Sequence, residues 1–522
     1  MKNKTIQFKS GLLFAIMAVL SLSCTNLDLI VDDSLIAEST GEFSGVSDPA
    51  SSLTNLYNSF GSNYGSNQER LYALSEVTSD EMVVPTRGTD WGDNGIWRTL
   101  HTHEWSAGHA FILQVWNDWN ALAFSASQVI DARSNASAQQ VAEAKLLRAF
   151  SMWYVLDNFG VVPVRGVDDG PEVSPMVLSN SEAYSYILDD IDAAIPGLPS
   201  VGPGSSTNKM SKAAAYFLKA RVMLNAEVYG ASADWAGVIA AVDAINPGFA
   251  LAPAGKFFEM FSGVDSSERI LFVANNDGSR KWSALHYSQG RPGNTGGGWN
   301  GFTTLSAFYD SFEGPANSNY LGDGQEERRG YVQTEASTNA TNYGFGYGFL
   351  LGQIYGYGYD KDGNINTPKK ALDARGGKKL IFTRELPGLL GNNDVTGIRP
   401  QKYSPASGAY VDNSLIVCRY ADAYLMKAEA MKRSGDNATA MVNALRTIRG
   451  ATPIGDVTLD NILAERGREL YGECVRRTDL VRFGKFSATW EFKDDTEEYK
   501  NVFPIPTNAI LSNPNLVQNP GY

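Results

Sequence analysis

Three segments far apart in the chain share one spelling: AEAKLLRA at 142–149, AAAYFLKA at 213–220 and ADAYLMKA at 421–428. Each reads Ala-x-Ala-x-apolar-apolar-basic-Ala. On a helix the first and last alanines share a face, so small side chains let a neighbouring helix approach while the bulky pair fills the core. The second and third copies are each followed by a short polar turn and a further amphipathic stretch, GASADWAGVIAAVDAI at 230–245 and GDNATAMVNALRTI at 435–448. Helix, turn and helix over about 34 residues is the tetratricopeptide period. The copies are irregular and separated by long insertions, which predicts a mostly α fold: a tetratricopeptide-like scaffold of helix pairs that carries something else, rather than a clean solenoid. Further helices are predicted at 50–60, 110–132, 181–195 and 458–482, the last two with helix-favouring starts at Ser181 and Thr458.

Between the helices the chain changes in kind. Residues 62–105 and 275–410 are rich in Gly, Asn, Asp and aromatics without a helical period, and they include the tract YGFGYGFLLGQIYGYGYD at 343–360. Loops this long inside a compact protein are usually functional. Short apolar pieces, RILFVANN at 269–276 and KKLIFTREL at 378–386, predict small β-hairpins and no large sheet. The charge balance narrows the partners: 44 Lys and Arg against 57 Asp and Glu give a formal net charge of −13. Nucleic acid is disfavoured, because phosphate binding needs clustered basic residues to displace counterions. Cys418 and Cys474 each lie in an amphipathic helical pattern and read as two buried free thiols rather than a disulfide.

At the start, Lys2, Lys4 and Lys9 precede a short apolar run, the pattern of a secretory signal over residues 1–23. The run is shorter than the roughly 20 apolar residues that a bilayer-spanning helix needs. Cys24 follows the small Ser23 and resembles the acylated cysteine of a bacterial lipobox.

Aromatic side chains offer apolar platforms, and amide and carboxylate groups beside them offer donors and acceptors to a polar ligand. Two stretches have that composition. TSDEMVVPTRGTDWGDNGIWRTLHTHEW at 78–105 holds Asp80, Arg87, Asp90, Trp91, Asp93, Asn94, Trp97 and Trp105; DGSRKWSALHYSQGRPGNTGGGWNGF at 277–302 holds Trp282, Tyr287, Trp299 and Asn300. Trp91 and Trp299, flanked by Gly, Asp and Asn, are expected to stand free as stacking platforms. Trp97 and Trp105, with apolar neighbours, suit a core equally well. For catalysis the signals are poor. Glycoside hydrolysis needs two carboxylates at a fixed gap, and among 57 acidic residues some pair is always available. HTHE at 101–104 lacks the H-E-x-x-H of a zinc helix, and no G-x-S-x-G elbow occurs. DKDGN at 360–364 resembles part of an oxygen-ligand loop, which leaves a structural calcium as the one cofactor reading, without the later glutamate of an EF-hand.

Several ordered stretches are similar to one family, the SusD/RagB-like nutrient-binding lipoproteins of the Bacteroidetes outer membrane. They are AEAKLLRAFSMWYVLDNFGVVPV at 142–164, then VCRYADAYLMKAEAMKRSG, MVNALRTIRGA, ILAERGRELYGECVRRTDLVRFGKF and FPIPTNAILSNPNLVQNPGY. The resemblance covers essentially the whole chain after Cys24 and is weakest at 275–410. It implies a SusD-like fold: an N-terminal part over 24–274 with the first ligand loop at 62–105, a variable loop-rich ligand-binding subdomain over 275–410, and a C-terminal helical part over 411–522. It also implies a non-enzymatic surface protein, acylated at Cys24 and with Asp28, Asp32 and Asp33 resembling the family's surface-export region, that captures oligosaccharides for a TonB-dependent SusC-like barrel. Some members of the family resemble peptide carriers, a RagB-like alternative that would need less aromatic exposure and more main-chain pairing; a helical glycosidase is the remote third reading. The charged residues of the matching motifs, Arg148, Glu465, Arg466, Glu469, Arg476, Asp479 and Arg482, alternate in sign at helical spacing. That is the pattern of ion pairs tying helices together rather than of a ligand site.

Overall fold

The alanine-spaced segments do fold as helices with their small faces inward. The computed structural model describes residues 42–65, 67–204, 207–245, 248–263, 267–274, 279–367, 371–403, 405 and 414–522. The predicted signal segment, Cys24 and the acidic residues that follow it lie outside the described residues. Helices α1 (Pro49–Gly65), α2 (Arg70–Glu76), α3 (Ile96–His101), α4 (Ala110–Ile130), α5 (Ala138–Phe159), α6 (Asn180–Ala194), α7 (Lys212–Leu224) and α8 (Trp235–Asp243) make the N-terminal part. Two short helices, α9 (Phe257–Met260) and α10 (Ser306–Asp310), lie in the long insertion. Then come α11 (Tyr420–Arg433), α12 (Thr439–Ile448), α13 (Leu459–Leu470), α14 (Arg476–Arg482) and α15 (Thr507–Ser512).

The repeated segments fall in α5, α7 and α11, and their alanines (142, 144, 149; 213, 215, 220; 421, 423, 428) are all buried. So are the bulky pairs Leu146 and Leu147, Phe217 and Leu218, and Leu425 and Met426. Close approach follows: α5 packs on α4 and α6, α7 on α8, and α11 on α8 and α13. Local signals set the ends. Ser137 and Gln140 close a capping box on α5, which stops at Gly160 in the left-handed conformation (φ 71°); Ser179 with Glu182 caps α6 and Thr458 with Asn461 caps α13.

Strands are short and form only two- and three-stranded sheets among the described residues. Arg269–Ala274 pairs antiparallel with Ser414–Arg419, so this predicted piece joins two distant parts of the chain instead of closing a hairpin. Ile381–Phe382 pairs with Gly352–Gln353, and Tyr347–Leu350 is flanked by Gly330–Tyr331 and Arg399–Gln401. Two expectations need correction. The helix predicted over 458–482 is broken at Tyr471–Val475, where Gly472 and Cys474 have φ of 68° and 60° and their amides turn to the carboxylates of Glu81 and Glu76. The stretch 62–105 is not wholly loop-like, because α2, α3 and the strand Met82–Val83 lie in it. Cys418 and Cys474 are free and buried, as read, although Cys418 lies in the strand Ser414–Arg419 and Cys474 in the break rather than in helices; burial pushes the Cys474 thiol up to about 12.

The alternating charges of the C-terminal helices meet in a buried network. Arg419 donates to Glu268 at 2.9 Å, to Glu469 at 2.8 Å and to Glu473 at 2.7 Å; Arg449 reaches Glu268 at 2.7 Å and Glu469 at 3.0 Å; Arg328 reaches Glu326 at 2.6 Å and Glu465 at 2.7 Å. A second set links Arg466 to Asp422 and Asp479, and Arg482 to Asp479 and Glu429. Arg148 pairs with Asp190 and Arg476 with Asp80. Removing one partner strands the others, which for a buried pair costs about 3–5 kcal/mol. Arg419→Met is therefore expected to lower unfolding free energy by about that much in urea titration, and retention of wild-type stability would contradict it. Despite the opposing effect of burial, their arginine partners hold the Glu465 and Asp479 carboxyls down at about 2, below the ordinary 4.5 and 3.8. Depressed carboxyls contribute stability above the unfolded value and lose it as pH falls through the folded one, so the melting temperature should drop between about pH 4.5 and pH 2.

Candidate functional site

The two stretches singled out for their aromatic and polar residues come together around one open cleft of about 860 Å³. From the first stretch it takes Asp90, Trp91, Asp93, Asn94 and Trp97, and from the second Tyr287, Gly298 and Trp299. Gln68, Glu69, Thr89, Ile96 and Phe111 complete the lining.

The tip at residues 91–95 is built from backbone that L-residues rarely adopt. Trp91, Asp93, Asn94 and Gly95 have φ of 59°, 37°, 52° and 85°. Left-handed conformations at non-glycine residues cost about 1–3 kcal/mol each and persist where neighbours enforce them. The enforcing contacts are visible. The Trp91 indole N–H donates to the Trp299 carbonyl at 2.8 Å, and the Trp97 N–H donates to Asp93 Oδ2 at 2.9 Å. Trp91 meets Trp97 edge-on at 5.5 Å and Phe302 at 6.1 Å, and Trp97 meets Phe111 at 5.0 Å. Gly301 lies directly beneath the Trp91 ring, where a Cβ would come within 2.4 Å of it.

On the other wall the Tyr287 hydroxyl donates to Asp90 Oδ2 at 2.8 Å, and Arg375 Nη1 donates to the same oxygen at 2.7 Å while lying 4.1 Å above the Tyr287 ring. Tyr287 first, then Arg375, hold the Asp90 carboxyl below its ordinary value, while burial and Asp90 push the Tyr287 hydroxyl up to about 12. Asp90 is therefore ionised and Tyr287 neutral across the physiological range. Trp299 is 47% exposed, the one tryptophan among the large exposed apolar residues. Gln68 is 3% exposed, with its Oε1 buried and without a hydrogen-bond partner.

Trp299 thus stands free as expected, but Trp91 is half-buried and bonded to its neighbours, so it is a wall of the cleft and not a loose platform. Trp97, 3% exposed, shows only an edge; it and Trp105 belong to the core of the scaffold, where apolar neighbours placed them. Four other expected ligand residues are structural. Asp80 is held by both Nε and Nη2 of Arg476 at 2.7 Å. Arg87 is buried and donates to the Thr396 and Asn393 carbonyls, fixing the turn that presents Asp90. Trp282 packs in the insertion's core against Phe345. Asn300, fully buried at φ 57°, donates to the Asp394 carbonyl and accepts from Arg399. His101 and His103 of HTHE are buried and clamp backbone carbonyls, including those of Glu491 and Thr78. In DKDGN the Asp360 carboxylate accepts the amides of Asp362 and Asn364.

Gln68, Glu69, Ile96, Phe111 and Arg375 were not singled out. Gln68 and Glu69 precede α2 without aromatic neighbours, and Phe111 sits inside a helical pattern. Arg375 had a usable signal, the exposed Gly376-Gly377 turn beside it.

Comparison with known proteins adds what the chain is similar to. Residues 267–522 match the SusD family. Starch-binding protein SusD of Bacteroides thetaiotaomicron is 28% identical over 429 residues, covering 74% of this chain and 73% of that protein. Among solved structures, a laminarin-binding SusD-like protein superposes with a TM-score of 0.67 at 20% identity over 92% of this chain and 100% of its own. Surface glycan-binding protein A from Bacteroides thetaiotaomicron, in complex with laminarihexaose, does so with a TM-score of 0.63 at 17% identity, over 90% and 98%. These likenesses establish the shared fold.

The packing of Trp91 on Gly301 makes a direct test of the cleft wall. Gly301→Ala should displace the Trp91 ring, shift tryptophan emission and cost about 1–3 kcal/mol, as overpacking does. An unchanged emission spectrum and melting curve would show that the ring does not rest there.

Proposed function

We propose that this chain, whose residues 267–522 match the SusD family, is a cell-surface glycan-binding protein that captures oligosaccharides and delivers them to a TonB-dependent SusC-like transporter, held to the outer membrane by acylation of Cys24. The observation that carries the reading is the meeting of Trp91, Trp299 and Tyr287 with Asp90, Asp93 and Asn94 around one open cleft. Aromatic groups offer apolar faces to sugar C–H groups, and the carboxylates and amides offer acceptors and donors to hydroxyls. The relatives named for starch and laminarin support the same ligand class. Among the described residues no helix is long and apolar enough to cross a membrane, which is compatible with attachment through a lipid.

The cleft's chemistry narrows the ligand to neutral sugars. Glu69, Asp90 and Asp93 line it, while the cation at its rim, Arg375, is already bound to Asp90. A uronate would meet like charge on Glu69 and Asp93, with the Arg375 guanidinium already engaged by Asp90. Binding is the whole activity in this reading, so the protein leaves a matching oligosaccharide intact.

Affinity electrophoresis and calorimetry against a panel of neutral and acidic polysaccharides test this. Trp299→Ala should weaken neutral-glycan binding about ten- to hundredfold, by analogy with the roughly 1–3 kcal/mol of aromatic–base stacking, with little change in melting temperature. Failure of every glycan to bind, capture of peptides instead, or release of new reducing ends would each refute it.

A further inference from the structure

A second cleft, of about 660 Å³, shares no lining residue with the first. It is framed by α9, by the turn at 321–331 and by the strand Tyr347–Leu350. Phe258 lies 5.2 Å from Tyr347 with the rings tilted by 33°, and Tyr331 meets Tyr347 at 6.0 Å. Leu321 stands 55% exposed at the same cleft. Gly255, Gly322 and Gly324 keep it open: all have positive φ, and a Cβ on any of them would meet nothing within 4 Å.

Glu326 supplies the polar group. It is 1% exposed; its Oε2 accepts from Arg328 at 2.6 Å, whereas its Oε1 is buried with no hydrogen-bond partner. A buried acceptor left unmade costs about 1–3 kcal/mol, so such an atom marks a place where a donor is wanted. A cation already stands beside Glu326. Arg328, which also serves Glu465 and Glu469, pairs with Glu326; Lys256 pairs with the neighbouring Glu259 at 2.6 Å; and Glu327 accepts the Phe257 amide at 2.7 Å through one oxygen, while its Oε2 is likewise buried without a hydrogen-bond partner. What the cleft lacks is a neutral donor carried on a group with an apolar face.

We propose that this cleft, with Glu326 at its base and Phe258, Tyr331 and Tyr347 along its wall, is a second carbohydrate-binding site for a neutral sugar whose hydroxyl donates to Glu326. It rests on the reading of the first cleft only for the choice of sugars as probes. Two sites on one rigid chain let a polysaccharide bind at two points, so that the second contact is made at high effective concentration.

Calorimetry and crystal soaking with maltohexaose and laminarihexaose test it, using Trp299→Ala to weaken the first cleft. In that background a residual site is expected, and Tyr347→Ala should lower its affinity by about tenfold or more. Because Tyr347 also packs between strands, Leu321→Arg provides a second variant: it alters an exposed residue, leaves the core untouched, and should abolish the same residual binding by filling the cleft. Soaked crystals should carry sugar over Tyr347. Sugar found in the first cleft alone, residual binding indifferent to both variants, or complete loss on Trp299→Ala alone would overturn the second site and leave the first standing. No binding of either hexasaccharide to the wild-type chain would overturn both.

Discussion

The buried ion network around Glu469 is the constraint on which the arrangement depends. Arg328 comes from the long insertion, Arg419 from the strand that leads into α11, Arg449 from the end of α12 and Glu268 from the segment before Arg269–Ala274, and all four meet Glu469 of α13 or one another. Apolar packing tolerates slippage, because one methyl group can replace another. A fully buried guanidinium cannot slip, since any displacement leaves a charge unmatched in low dielectric. The network therefore sets register between segments more than 100 residues apart in sequence. Its matching of opposite charges matters as much as its geometry, because three arginines without partners at this depth would unfold the centre of the chain.

From that centre the constraint passes outward to the first cleft. Glu76 and Glu81 turn the broken segment between α13 and α14 by accepting the amides of Cys474 and Gly472, and Arg476 then holds Asp80. The chain from 76 to 81 is thus tied to the C-terminal helices just before it enters the site. A few residues later Arg87 anchors the next turn to the 392–396 loop, and Arg399 anchors Asn300 next to Trp299. Residues that looked like ligand groups because they are polar and near tryptophans turn out to be these anchors. They position Asp90 and Trp299, which line the cleft.

How much of this was legible follows from the range of each signal. The alanine spacing and the alternating charges are local patterns with a helical period, so α5, α7, α11 and the ion pairs of α13 and α14 could be read directly. The loop clusters were legible as composition, which found the two stretches that meet at the cleft. It could not separate Asp90 from Asp80 or Trp299 from Trp282, because that depends on which partner arrives from a distant part of the chain. Asp80 finds Arg476 and is consumed in structure; Asp90 finds Tyr287 and Arg375 and stays at the surface. The flanking glycines of Trp91 suggested exposure, but they serve the left-handed tip that folds the indole back onto Gly301.

That tip explains why a cleft made of loops can still be preformed. A loop tryptophan free to rotate would lose its freedom on binding, which costs about 0.5–1.5 kcal/mol for an immobilised side chain. Trp91 has already lost that freedom: its N–H is bonded to the Trp299 carbonyl and its ring is wedged between Trp97, Phe302 and Gly301. The cost was met in folding, through the aromatic cluster and the hydrogen bonds that hold residues 91–95 at positive φ. The same bond couples the two stretches, so Trp299 cannot shift its backbone without releasing Trp91. The wall of the cleft is therefore set by folding, and the Trp299 ring is the part of the pair left facing solvent.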